Sequence, residues 1–430
     1  MPELSSFRPY RYSPAAIPDP GAVIAPPYDV ISPEKRASLI ARDPHNVIQL
    51  ILPEGDENTR YTHAAELFHA WISSGILTQE EQPGIYAYSQ IFSHPETGQR
   101  IERRGFIAAI RLSPFSEGKI LPHERTLSGP KADRLQLMLS TRANLEPIFG
   151  VYRDAQGTSG RRLEEITHAG DPFISATDSD GVEHRLWRLA EQQQIRSFSD
   201  DLHDNTIFIV DGHHRYETAL NYQRMVREQN PALPEGSPAD YIMMFLAPTS
   251  DPGLIILPTH RLVHSLPAFD FDELVGRLRE HFDVHVPASR AEGMEELRRQ
   301  GEQPGFLLLS GERAVHITLR ADADTDDLFD AGVPAALKSL DVSLLHDYIF
   351  QRLLGITPEA QAEQRNILYV KSTDEALAAA DRPEIQLVAL MNATRLEQVE
   401  AVAESGTVMP QKSTYFYPKL ASGLLFNPLG

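Results

Sequence analysis

Four consecutive apolar residues, Ile207 to Val210, run into Asp211-Gly212-His213-His214, and from Arg215 the apolar spacing becomes helical through Tyr216, Ala219, Leu220 and Val226. No other segment constrains the fold as tightly. A short buried strand must feed a helix, expected over Arg215 to Glu228, through one glycine. The first turn of a helix offers N–H groups and the positive end of the dipole, which favour an anion. Two histidines and an arginine at that point add donors. Arg215 has the geometry to grip a phosphate through two parallel bonds, and Asp211 to orient a histidine or assist a divalent cation. The G-x-x-x-x-G-K-[ST] and H-E-x-x-H patterns are both missing, which excludes a Walker A loop and a zincin helix. A capped helix with surface histidines is the competing, purely structural reading.

The rest of the 430-residue chain reads as alternating strands and helices, enough for two to three domains. Seven prolines between Pro9 and Pro33 exclude a regular helix or central strand there. With Phe7, Tyr10, Tyr12 and Tyr28 to bury, an ordered extended wrap is expected. Asn46–Leu52 reads as a strand, 61–74 as a helix, and Ile85–Phe92 with Arg103–Leu112 as a hairpin. Lys131–Leu145 reads as a helix, and Tyr241–Ala247 with Leu254–Pro258 as a strand pair. After Leu266 amphipathic acidic helices and short strands follow. The expected division is 1–264, 265–405 for a smaller accessory α/β domain, and 406–430 for a tail returning toward the first part. No apolar run approaches a membrane span, the start lacks a signal-peptide core, and there is no Cys. These features point to a cytoplasmic protein with neither thiol nucleophile nor thiolate metal site.

Charge narrows the partners. Lys plus Arg is 40 and Asp plus Glu is 60, a net charge of −20, which disfavours nucleic acid. Yet Gly98–Arg153 holds ten basic residues and five acids. Such an island suits a small anion; scattered arginines on a solvated face are the bland alternative. Within it, Pro122-His123-Glu124-Arg125-Thr126 sets an acid beside donors, followed by Lys131, Arg134, Thr141 and Asn144. Lys131 with Arg134, and Thr141 with Asn144, are spaced to share a helix face. An ion pair with a neighbouring arginine is the plain reading of Glu124. In the tail, Lys412 and Lys419 interleave with aromatics, within reach of a phosphate or carboxylate. His260 and His264 lack a third ligand and carry little weight.

The Gly212-His213-His214-Arg215 turn resembles the signature of the ParB/sulfiredoxin-like fold. The chain lacks the cysteine of sulfiredoxins and the basic character of partition proteins. Gly-His-His-Arg is the form found in the free-serine kinases of that superfamily. Over nearly its full length the chain also resembles a bacterial and archaeal family known mainly as a domain of unknown function, family ten-fifteen. The blocks are Ala25–Ser32, Leu121–Tyr152, Ile209–Leu220, Leu257–His264 and Met409–Leu424. The resemblance implies an α+β protein with a ParB/sulfiredoxin-like nucleotide-binding core. It implies a nucleotide-dependent phosphotransferase for a small hydroxyl metabolite, free L-serine first, using Mg2+ with ATP or ADP. Glu124, Asp211 and His213 would be catalytic, with Glu124 the base. Gly212, His214, Arg215, Lys131, Arg134 and Lys412 would hold phosphates. His123, Arg125, Asn144 and Asp29 would meet the acceptor, Asp29 also competing as base or metal ligand. A non-catalytic nucleotide-binding regulator and a phosphohydrolase are the alternatives.

Overall fold

The computed structural model describes residues 1–430 except 57, 58 and 127, so Leu127 of the Leu121–Tyr152 block lies outside the described residues. The chain forms two compact units, Met1–Pro122 with Thr126–Ile255 and Pro418–Gly430, and His123–Arg125 with Ile256–Tyr417. It is a mixed α+β protein with a large central sheet in the first unit.

That sheet contains β1 (Leu4–Ser5), β2 (Ile85–Ser93), β3 (Arg100–Arg111), β4 (Ile120–Pro122), β5 (Ile148–Tyr152), β6 (Ile174–Thr177), β7 (Glu183–Leu189), β8 (Ile207–Asp211) and β9 (Tyr241–Pro248). Their order is β4-β8-β5-β9-β3-β2-β7-β6, with β1 also paired to β3. The hairpin expected around residues 94–98 is present as antiparallel β2 and β3. β8 lies between parallel β4 and antiparallel β5, so both its edges are occupied and its Ile207–Val210 run is buried. Such a strand needs no polar face, which is why it reads as an unbroken apolar run. β9 pairs with β3 and β5 rather than with Leu254–Pro258, a correction to the expected local pairing. Two strands close in sequence carried no marker for these distant partners.

Three helices pack in series from the turn: α3 (His213–Gln229) starts at it, α2 (Ser128–Thr141) packs on α3, and α1 (Arg60–Ser73) packs on α2. The strand expected over Asn46–Leu52 is instead a short helix, Ile48–Ile51. All its apolar residues are buried, so the run has no periodicity to distinguish the two. Asn46 sets the conformation: its Oδ1 accepts from Ile48 N at 3.0 Å, and its Nδ2 donates to Ala22 O at 2.8 Å and Ile24 O at 3.0 Å. The proline-rich segment is ordered, and its Tyr12, Ile17, Val23 and Ala25 share a core with Trp71, Leu145 and Phe426. The helix expected to reach Leu145 stops at Thr141; Arg142 takes φ 47°, and Ala143–Asn144 pairs with Asn427–Pro428.

The second unit has its own six-stranded sheet: β10 (His260–His264), β11 (Phe282–His285), β12 (Gly305–Ser310), β13 (Arg313–Leu319), β14 (Ile367–Val370) and β15 (Ile385–Met391). The order is β11-β13-β12-β15-β10-β14. The hairpin around Gly311 is β12 with β13. After Asp341 the chain forms a ten-residue π-helix, Leu344–Leu353. No helix among the described residues is long and apolar enough to cross a membrane.

Candidate functional site

β8 delivers Asp211 to the end of the sheet, and Gly212 turns the chain with φ 89° and ψ 26°. That left-handed conformation is open to glycine at no steric cost. No side chain caps the helix that starts at His213. A Cβ on Gly212 would lie 3.0 Å from Nη2 of Arg215, because Arg215 folds back over the turn. Its Nη1 donates to Pro147 O at 2.5 Å and its Nη2 to Asp211 Oδ2 at 2.8 Å. Lys419 donates to the other Asp211 oxygen. The buried carboxylate thus has a cation on each oxygen. Burial alone would raise the Asp211 carboxyl; Lys419, Arg215 and His213 outweigh it and hold the group well below the usual range. For Arg215 burial pulls down, and the opposing charges of Glu146, Asp211, Asp29 and Tyr28 more than restore it. His213 is buried and His214 half-buried.

A second layer sits behind the turn. The Arg134 guanidinium stacks over the Tyr28 ring at 4.0 Å, pairs with Asp133, and donates to Ile51 O at 2.5 Å. Tyr28 N donates to Glu146 Oε1 at 3.2 Å, as does Ser422 Oγ at 3.2 Å. Burial pushes the Tyr28 hydroxyl up to about 12. Asp29, next in the chain, is exposed. Lys131 donates to Glu217 Oε2 at 2.7 Å and Thr126 Oγ1 at 3.1 Å. Arg134, Asn144, Glu146 and Arg215 line a cavity of only about 40 Å³, room for a water but not a nucleotide.

The first unit therefore gathers Asp29, Arg134, Asp211, Gly212, His213 and Arg215 around one turn, with Lys131 paired nearby on α2. Asn144, expected to meet an acceptor from a helix face, is a buried strand residue. Its Oδ1 accepts from Met243 N at 3.1 Å and Asn427 Nδ2 at 2.9 Å. The helix ends before it, so it shares no face with Thr141. His123, Glu124, Arg125 and Lys412 belong to the second unit. There Glu124 Oε1 accepts from the backbone N of Lys412 at 2.9 Å, and His123 Nε2 lies 2.9 Å from Thr414 Oγ1. Arg125 and Lys412 are exposed.

Two residues escaped the sequence reading. Glu146 and Glu217 answer the cations of the turn and of Lys131, and nothing in their local spacing marks them. The basic island is likewise spoken for in large part. Arg100 pairs with Glu183, Arg104 with Glu102, Arg111 with Glu3 and Glu235, and Lys119 with Glu117. Among the described residues no group of three or more His, Asp or Glu side chains is placed to hold a metal ion. With Asp211 doubly engaged, these residues do not fit a resident divalent ion.

Fold and site together define a mixed α+β protein whose central sheet ends in a glycine turn at a helix start. The chain belongs to the family described as protein of unknown function, DUF1015, which matches residues 4–343. No curated protein matches it. Among solved structures it is similar to a free serine kinase variant in complex with AMP, at 15% identity and TM-score 0.35, covering 71% of this chain and 89% of that one. A second free serine kinase variant, in complex with ADP, matches at 14% identity and TM-score 0.35 with the same coverage, 71% and 89%. A conserved hypothetical protein from Pyrococcus furiosus matches at 15% identity and TM-score 0.34, covering 71% and 92%.

Proposed function

We propose that the protein is a nucleotide-dependent phosphotransferase acting on a small hydroxyl metabolite, with free L-serine the first acceptor to test. The observation that carries this reading is the turn from β8 through Gly212 into α3: a left-handed glycine, an uncapped helix start and a histidine pair. That combination favours a bound anion. Gly212 and His214 would meet the phosphates. Arg215, bound to Asp211 and Pro147, would add positive charge from behind and hold the turn in shape.

In the reaction the acceptor hydroxyl oxygen attacks the terminal phosphorus. The P–O bond to the nucleotide breaks, the nucleotide leaves with the electron pair, and the hydroxyl proton passes to a carboxylate. Glu124 is the base the resemblance implies. Asp29 is an exposed carboxylate of the same unit as the turn, close enough for its charge to act on Arg215. ATP and ADP are the donors to test.

The experiment is to incubate the protein with ATP or ADP, Mg2+ and L-serine or related hydroxy compounds, and detect phosphorylated product by mass. A phosphorylated acceptor is expected. Nucleotide binding without product would mark a regulator, and free phosphate without acceptor a hydrolase. Replacing the true base, by Glu124→Gln or Asp29→Asn, should cost about 10²–10⁴ in turnover with little change in nucleotide affinity. Full turnover in both variants contradicts the assignment.

A further inference from the structure

The second unit contains a cavity of about 280 Å³, close to the lower end of the range for small-ligand sites. Its polar wall comes from the π-helix and the residue before it. Wide helical turns are rare and concentrate at functional sites, and this one spans all of Leu344–Leu353. It turns Asp347 and Gln351 to the cavity, with Ser343 just ahead of it.

Three observations single this cavity out. First, the Ser343 side chain is only 1% exposed, and its Oγ has no hydrogen-bond partner. Buried hydroxyls are normally satisfied, so an orphan lining a cavity points to a missing guest. Second, the Asp347 carboxylate makes no ion pair or side-chain hydrogen bond among the described residues, although Asp330 and Arg352 nearby pair with each other at 3.0 Å. Burial and Asp330 push Asp347 upward; Arg352 and Arg125 pull it back. Third, Arg125 lies on the rim of the same cavity with an exposed guanidinium.

The frame is rigid. Arg261, fully buried, donates from Nε to His346 Nε2 at 3.3 Å, which leaves the His346 proton on Nδ1 for Gln361 Oε1 at 2.6 Å. Gln361 Nε2 then donates to His346 O at 3.2 Å and Ile356 O at 2.9 Å. Val333, Leu337, Met409 and Pro410 give the lining its apolar part.

From an unpaired acid, an orphan hydroxyl, a rim guanidinium and a hydrocarbon wall, we infer that this cavity binds a small zwitterion, an α-amino acid with an apolar side chain. Asp347 and Ser343 receive its ammonium, Arg125 its carboxylate, and the apolar wall its side chain. The inference stands on the second unit alone and is independent of the phosphate turn.

The test is titration calorimetry on the full chain without nucleotide, using the twenty common amino acids as probes. L-leucine, its N-acetyl derivative and its amide then read the two charges separately. L-leucine should bind, and both derivatives should bind on the order of ten- to a hundredfold more weakly. Asp347→Asn should abolish the preference over the N-acetyl derivative, and Arg125→Gln the preference over the amide. Arg125 is exposed, so its variant should keep the wild-type melting curve. If no amino acid binds, or if binding is equally strong in both variants, the inference is overturned.

Discussion

Asp211 shows how a single residue couples structure to proposed chemistry. A buried carboxylate held by two cations is costly to break from one side, because the remaining charges cannot return to water. Lys419→Met should therefore lower stability by about 3 kcal/mol at neutral pH, measured by urea unfolding. The folded Asp211 group sits below its ordinary value, so its stabilisation is present above the unfolded pKa of about 4 and is lost as the pH falls through the folded value. The difference between wild type and Lys419→Met should shrink in strong acid. Asp341 has the opposite sign. Burial, against a partial pull from Arg395, pushes it up to about 7. Its stability penalty grows between the unfolded value near ~4 and about 7. Asp341→Asn should raise Tm by about 2 °C or more at pH 8 and leave it unchanged near pH 4. A gain of equal size at both pH values would refute the burial explanation. Among single residues, the turn at Gly212 was legible because a glycine stands where strand gives way to helix. The engagement of Asp211 by Arg215 and Lys419 was not, because Lys419 lies far along the chain and no local spacing points to it. Nor was Asn144. Its role is set by Met243 and Asn427, which spacing along one helix cannot reveal.

At the scale of elements, the turn between β8 and α3 was readable because periodicity changes within a few residues and a glycine stands at the change. Its energetic demand is testable. Gly212→Ala forces a Cβ into the left-handed region, at about 1–2 kcal/mol, and sets it 3.0 Å from the Arg215 guanidinium, which is held by Asp211 and Pro147. The variant should melt earlier and lose nucleotide binding together. Unchanged nucleotide affinity would show that the turn's exact shape is irrelevant to the ligand. The Ile48–Ile51 helix marks the limit of such reading. A four-residue segment whose three apolar residues, Ile48, Leu50 and Ile51, are all buried is too short to show a period, and Asn46 decides the outcome through carbonyls more than twenty residues away. β9 itself is where the sequence places it, but its pairing is not: its partners β3 and β5 are chosen by sheet order, not by neighbourhood in sequence.

For the whole molecule, the segment Pro418–Gly430 is part of the first unit's framework. Arg103, fully buried, donates to Pro418 O at 2.6 Å, and Gln90 to Lys419 O at 3.0 Å. Phe426 sits in the core beside Tyr12 and Phe68, and Asn427 pairs with Asn144. Ending the chain after Tyr417 should leave Arg103 without that acceptor and open this core, giving a product that binds hydrophobic dye and lacks a cooperative melt. The proposed small anionic ligand is gathered at one turn rather than spread along the basic island, much of which is already paired. The most direct test of that idea is equilibrium binding of ATP and ADP to the full-length protein and to its His214→Ala and Gly212→Ala variants. Saturable binding by wild type, weakened on the order of tenfold or more in both variants, is the expected result. No nucleotide binding by a folded wild type, or equal affinity in all three proteins, would contradict it.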